Sequence, residues 1–287
     1  MQKKIKYFIY SLIILLTLAI GSGIYSDISV EDLKNEYANE HSQFIEVDEM
    51  NVHYRDEGEG FPIVLIHGTA ASLHTWDDWT DELKKTNRVI RMDLPAFGIT
   101  GPNKNADYSL QAYTDFLNSF IDKLKLEKFH LVGNSLGGNI AWNYAADYPQ
   151  KVEKLILVDA SGLPTNKQPP SIFKMAKNPL LKNLFLYVTP KMLIKKNIEE
   201  VYADDSKITE ELVNRYHKMA LRVGNRKAFI DRAKTDFGLD SVVNINKLKT
   251  IMTPTLLIWG AQDLWIPLDN GIRMNRILVN STLKVLE

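Results

Sequence analysis

The segment Gly133-Asn134-Ser135-Leu136-Gly137 sets a serine two residues from a glycine on either side. It follows the apolar run at residues 129–132 and opens a helix-permissive stretch through Trp142 and Tyr144. A serine at such a strand-to-helix corner sits on a sharp, strained turn, and side chains at the flanking glycine positions would collide with neighbouring backbone. The hydroxyl is pushed out beyond the sheet edge, where it serves as a nucleophile toward a carbonyl. The helix start adds a positive dipole end and unpaired N–H groups, so the Leu136 N–H is expected to bind an oxyanion as it forms. A glycine-rich turn with a capping serine would share these letters, but strand before and helix after favour the nucleophile.

His67-Gly68-Thr69-Ala70 follows an earlier apolar run at residues 63–66, where a second oxyanion donor is expected. The Thr69 N–H is the candidate, with Gly68 letting the backbone approach the substrate. His67 reads as a structural residue bonding within this loop.

These groups need a frame. Short apolar runs at residues 63–66, 89–92, 129–132, 155–158, 255–259 and 283–286 alternate with helical patterns at 76–85, 110–126 and 139–146. Continuous apolar strands separated by helices predict an α/β fold, a mostly parallel sheet covered on both faces. Residues 43–47 and 51–54 flank Asp48-Glu49-Met50 as an antiparallel hairpin without a turn glycine. Residues 164–248 show no convincing strand and read as a helical cap inserted into a core of residues 43–163 and 249–287.

Lys3, Lys4 and Lys6 precede an uncharged stretch at residues 7–25, about the length that crosses a hydrocarbon core of roughly 30 Å. The expectation is a single membrane anchor with everything after it outside the cytoplasm; a cleaved signal segment is the competing reading. Residues 26–42 then read as a spacer. Lys plus Arg and Asp plus Glu are both 35, so no global field favours nucleic acid. The chain has no cysteine, which excludes disulfides, thiolate catalysis and Cys-ligated zinc. Neither cofactor nor metal is called for by any motif.

Together the hairpin ending Tyr54-Arg55-Asp56-Glu57-Gly58, the His67-Gly68 loop, Asp93-Leu94-Pro95-Ala96-Phe97-Gly98, the Ser135 corner, Leu157-Val158-Asp159 and Trp259-Gly260-Ala261-Gln262-Asp263 resemble the α/β-hydrolase superfamily. Within it, Ser72-Leu73-His74-Thr75-Trp76 with Thr100-Gly101-Pro102 resembles membrane-associated or secreted bacterial lipases and esterases of the Moraxella lipase type. The resemblance implies that Asp263 is the carboxylate that orients and stabilises a catalytic imidazole. It also implies hydrolysis of a small carboxylic ester or lipid through an acyl-enzyme, with carbon–carbon bond hydrolysis of dienone acids as the alternative. Ser135 argues against dehalogenase and epoxide-hydrolase readings, since those relatives place aspartate at this corner.

Two positions depart from the pattern. Ala96 stands where such proteins usually carry glycine. The catalytic histidine should follow the acid in the chain, yet His41, His53, His67, His74, His130 and His217 all precede Asp263. The expectation is a piece of a longer enzyme, because residues 283–286 would otherwise form a core strand lacking its covering helix. A ligand-binding relative without catalysis is the alternative, and His74 is the nearest stand-in base.

Overall fold

The computed structural model describes residues 23–164, 170–179, 181–235 and 241–287, with Lys6, Tyr10 and Gly21. Eight strands form one sheet: β1 (Ser42–Val47), β2 (Met50–Glu57), β3 (Phe61–Ile66), β4 (Asn87–Met92), β5 (Phe129–Asn134), β6 (Val152–Val158), β7 (Thr255–Gly260) and β8 (Ser281–Leu286). Their spatial order is β1-β2-β4-β3-β5-β6-β7-β8. β1 and β2 pair antiparallel, as do β2 and β4, and every later pairing is parallel. The first hairpin turns without glycine by holding Asp48 at φ 48° and Glu49 at φ 61°, the left-handed pair that a two-residue hairpin requires.

Ile63 to Ile66, Leu131, Leu155, Leu157 and Leu257 are buried in the sheet, as expected for parallel strands covered on both faces. Ser109 caps the helix Leu110–Lys123 by accepting from the Ala112 N–H at 3.1 Å, which supplies one of the orphan donors of a helix start. Tyr113, Phe116, Leu117, Phe120 and Ile121 line its buried face. The helix after β5, Leu136–Asp147, is covered nearly all round, because it lies beneath the centre of the sheet.

Asp93, just past β4, ties the loops around the site together. Its carboxylate accepts from the Leu73 N–H, the Ile99 N–H and His53 Nδ1, each at 2.8 Å. Burial alone pushes this carboxyl up, but the hydrogen bond from His53 and the imidazoles nearby outweigh it and hold it well below the usual carboxylate range. Ala96, in the same loop, sits at φ 80°. That is where glycine is at ease and alanine is strained, so the departure seen in the sequence is accommodated at the cost of local strain.

Between β6 and β7, among the described residues, no strand of the sheet occurs; helices run from Ser171–Lys177 through Lys191–Glu199, Glu210–Ala220 and Asn225–Lys234 to Ser241–Leu248, with isolated bridges from Val188 to Ile24 and from Arg222 to Ile28. The stretch at residues 26–42 carries the helix Val30–Tyr37, whose Leu33 is fully buried. It docks on this insertion: the Ile28 N–H donates to Leu221 O at 2.8 Å, and Lys218 pairs with Glu36 at 2.6 Å.

The expectation of a membrane anchor with an extracytoplasmic domain is corrected here. Among the described residues no helix is long and apolar enough to cross a membrane. The apolar stretch at residues 7–25 lies almost wholly outside the described residues.

Candidate active site

Ser135 occupies the corner between β5 and the Leu136–Asp147 helix at φ 52°, ψ −112°. This conformation is costly for an L residue and is held from several sides. The Ser135 N–H donates to Val158 O at 3.0 Å, and Ser135 O accepts from the Asn139 and Ser161 N–H groups at 3.1 and 3.0 Å and from Ser161 Oγ at 3.1 Å. The two neighbouring glycines are needed for contact. A Cβ on Gly133 would lie 2.2 Å from Gly137 O, and one on Gly137 would lie 2.2 Å from Ile66 O. Ser135 remains half-buried, so its hydroxyl is reachable.

The loop after β3 comes directly over this serine. A Cβ on Gly68 would lie 3.2 Å from Ser135 Cβ. Among the described residues, neither the Thr69 N–H nor the Leu136 N–H donates to any protein group. Two free N–H donors, one next in sequence to Ser135 and one in the loop that packs on it, are the kind of group that an oxyanion needs. His67 is buried in the same loop, donating from Nδ1 to Gly68 O at 2.7 Å and accepting at Nε2 from the Leu94 N–H at 2.9 Å. Burial lowers its pKa and keeps the ring neutral.

Asp263 lies past the end of β7, with β6 between it and Ser135. Strands spaced about 4.8 Å apart put these two chain ends about 10 Å from one another. Its Oδ1 accepts from the Trp265 and Ile266 N–H groups at 2.6 and 2.8 Å.

Between them stands Asp159, to which no motif assigns a role. It ends β6 at φ 43° and accepts from the Gly260 N–H at 2.9 Å. Burial pushes its carboxyl up to about 6, against the Gly260 hydrogen bond and with the Asp263 charge adding to the rise. A folded-state pKa above the ordinary value near 4 means that this contribution to stability is complete below about pH 4 and is lost as pH rises through about 6. Asp159→Asn is therefore expected to raise Tm at about pH 8 and to leave it nearly unchanged at about pH 4. Thermal melts at the two pH values check this, and equal shifts at both would contradict it.

None of the six imidazoles is hydrogen-bonded to Ser135. His53 bridges Asp93 and Ser42, and His217 donates to Thr189 O at 2.9 Å. His74 is held by Arg55 and Ser72, each at 3.2 Å, with its pKa lowered to about 3, chiefly by burial. His41 lies 3.8 Å from Glu40. His130 packs on Phe61 near the start of β5, about 16 Å along the strand from Ser135. The stand-in role considered for His74 thus finds a buried, neutral ring committed elsewhere.

A pocket opens off the oxyanion loop, bounded at one end by Ala70 and Ala71, with an empty volume of about 620 Å³ counting its mouth. Phe97, Ile172, Met219 and Phe229 give it apolar walls.

A family model described as the alpha/beta hydrolase fold matches residues 62–287. The chain belongs to the α/β-hydrolase fold family. It is 28% identical over 243 residues to a 2-hydroxy-6-oxo-2,4-heptadienoate hydrolase of Pseudomonas putida, covering 83% of this chain and 84% of that protein. It is 30% identical over 252 residues to a 2-hydroxy-6-oxononadienedioate/2-hydroxy-6-oxononatrienedioate hydrolase of a Pseudomonas species, covering 81% and 84%. Among solved structures, a meta-cleavage product hydrolase from Pseudomonas fluorescens superposes with a TM-score of 0.71 at 25% identity, covering 85% of this chain and 88% of that one.

These relatives correct the expectation of a carboxylic-ester hydrolase. The substrates they are named for carry neither ester nor amide, so a hydrolase acting on them adds water across a carbon–carbon bond. The candidate residues did not separate the two readings, because a serine corner of this kind is expected for either.

Proposed function

We propose that this chain hydrolyses a carbon–carbon bond beside a ketone in a 2-hydroxy-6-oxo-dienoate, with Ser135 as nucleophile. The observation that carries the reading is a strained, reachable serine under two free N–H donors, in a chain matched over four-fifths of its length to hydrolases of such acids.

The substrate's 2-hydroxy-diene first ketonises, moving the hydroxyl proton to the carbon next to the 6-oxo group. Ser135 Oγ then adds to the 6-oxo carbon, and the oxyanion is held by the Thr69 and Leu136 N–H groups, each such donor contributing about 3 kcal/mol. Collapse breaks the carbon–carbon bond and sends its electron pair into the 2-oxo-enoate fragment, which regains a hydroxy-dienoate on protonation. Water releases the acyl group from Ser135 as a carboxylic acid. In this reading Asp263 is the carboxylate that would support an imidazolium, and the helical stretch at residues 164–248 is a cap over the reacting substrate.

The proton on Ser135 Oγ needs an acceptor that none of the six histidines provides, so a slow rate is expected, of the order of 10³ to 10⁴ over water from the oxyanion hole and binding alone. Product identification after incubation with 2-hydroxy-6-oxo-2,4-heptadienoate tests the proposal. An acid and a hydroxy-dienoate in equal amounts are expected, and an uncleaved substrate would overturn it.

A further inference from the structure

A second cavity lies away from Ser135, where the helix Val30–Tyr37, the first hairpin, the loop after β4 and the inserted helices meet. Its empty volume is about 570 Å³ counting its mouth. It neighbours the apolar pocket without sharing a residue with it. Phe97 and Gly98 line the pocket while Ile99 and Thr100 line this cavity, and Met219 and Asn225 line the pocket while Arg222 lines this cavity.

Three cations and one carboxylate line it: Lys34, Lys104, Arg222 and Glu49. Lys104 pairs with Glu49 of the hairpin turn, so those two charges cancel. Arg222 has no such partner. Its guanidinium spends three of its five N–H groups on backbone carbonyls, Nε on Ile99 O at 3.3 Å, Nη1 on Val223 O at 2.6 Å and Nη2 on Thr100 O at 3.1 Å. It forms no ion pair among the described residues, and burial lowers its pKa, opposed only by Tyr108. The backbone is shaped around it, since a Cβ on Gly101, which turns at φ 78°, would lie 2.1 Å from Arg222 Cζ. Lys34 holds its ammonium over the Phe44 ring, 4.4 Å from the centroid, with the exposed Glu31 carboxylate 3.9 Å away and beyond hydrogen-bond reach.

A half-buried guanidinium held by carbonyls alone carries a charge that the fold leaves without a counter-ion, a costly arrangement unless an anion is supplied. With Lys104 and Glu49 cancelling, two positive charges remain, which suits a dianion. Val30, Phe44, Met50, Ile99 and Pro102 make the rest of the wall apolar. We propose that this cavity binds a phosphate monoester with a short hydrocarbon body, its phosphate on Arg222 and Lys34 and its hydrocarbon against Phe44, Met50 and Pro102. Charge-assisted hydrogen bonds from a guanidinium and an ammonium are the usual means of holding such a group. The site does not depend on which bond Ser135 attacks.

The test is calorimetric titration of the full chain with n-butyl phosphate, inorganic phosphate and butyrate. n-Butyl phosphate is expected to bind tightest, with inorganic phosphate about tenfold weaker for want of the hydrocarbon and butyrate about tenfold weaker for want of the second charge. Lys34→Gln is expected to weaken n-butyl phosphate about tenfold and Arg222→Gln about 10- to 100-fold. Glu49→Gln, which removes the carboxylate and releases Lys104, is expected to tighten it about threefold. Because Arg222 also ties the loop after β4 to the insertion, Lys34→Gln and Glu49→Gln decide the matter if Arg222→Gln does not fold. No binding of n-butyl phosphate, equal affinity for butyrate, unchanged affinity in Lys34→Gln or weaker binding in Glu49→Gln would each overturn the site. Inorganic phosphate binding as tightly as n-butyl phosphate would overturn the role given to the apolar wall.

Discussion

Gly137→Ala is expected to destabilise the fold by about 3 kcal/mol, the upper end of what overpacking costs, and to abolish whatever turnover the chain has. The added methyl would lie 2.2 Å from Ile66 O and 2.6 Å from His67 O. Both are backbone atoms at the end of β3, so no rotamer change relieves the clash. The helix must move off the sheet, and Ser135 and Leu136 at its start move with it, away from the Thr69 N–H in the loop after β3. Denaturant unfolding beside dienoate turnover checks both effects. Native stability in this variant would show that the elbow packs more loosely than its geometry requires.

Imidazole added to the solution is expected to accelerate dienoate cleavage about tenfold, below the 10²- to 10⁴-fold that a positioned general base supplies. The reason is that the proposed site joins Ser135 to Asp263 and to the Thr69 and Leu136 N–H groups, while none of the chain's six imidazoles is hydrogen-bonded to Ser135. A diffusing imidazole takes the Oγ proton, and the half-buried hydroxyl is open to it. Ser135→Ala should show no acceleration, since the proton that imidazole takes is then gone; acceleration persisting in that variant would mean that imidazole acts on water and not on the serine. The readout is rate against imidazole concentration for both proteins. A flat response in the native chain would mean that another group already serves as base.

How far the sequence led differs from one part of the site to another. The Ser135 corner was legible because the glycines at 133 and 137 have a steric cause: a Cβ at either would clash with the backbone of Gly137 or of Ile66. The alternation of apolar runs marked the parallel strands for the same kind of reason, since a strand buried on both faces has no polar side to hide. The first hairpin was recognised despite Asp48 and Glu49 carrying the turn that glycine or asparagine usually makes.

Other features depended on tertiary neighbours. Asp159 becomes unusual only because the fold puts it against Gly260 and Asp263, about a hundred residues later in the chain. The choice between ester and carbon–carbon bond cleavage was not legible at all, because serine, oxyanion donors and carboxylate are common to both and the difference lies in the bond presented to them. The uncharged stretch at residues 7–25 has a composition that suits a membrane, but apolar length alone does not distinguish a span from other uses of such a segment.

The most direct test of the central claim is product analysis of 2-hydroxy-6-oxo-2,4-heptadienoate, the substrate named for one relative, incubated with the native chain and with Ser135→Ala. The account predicts that the native chain alone yields acetate and a hydroxy-dienoate in equal amounts, with acetyl transiently on Ser135 in quenched samples. A dienoate left intact by the native chain, or cleaved equally well by Ser135→Ala, would contradict it.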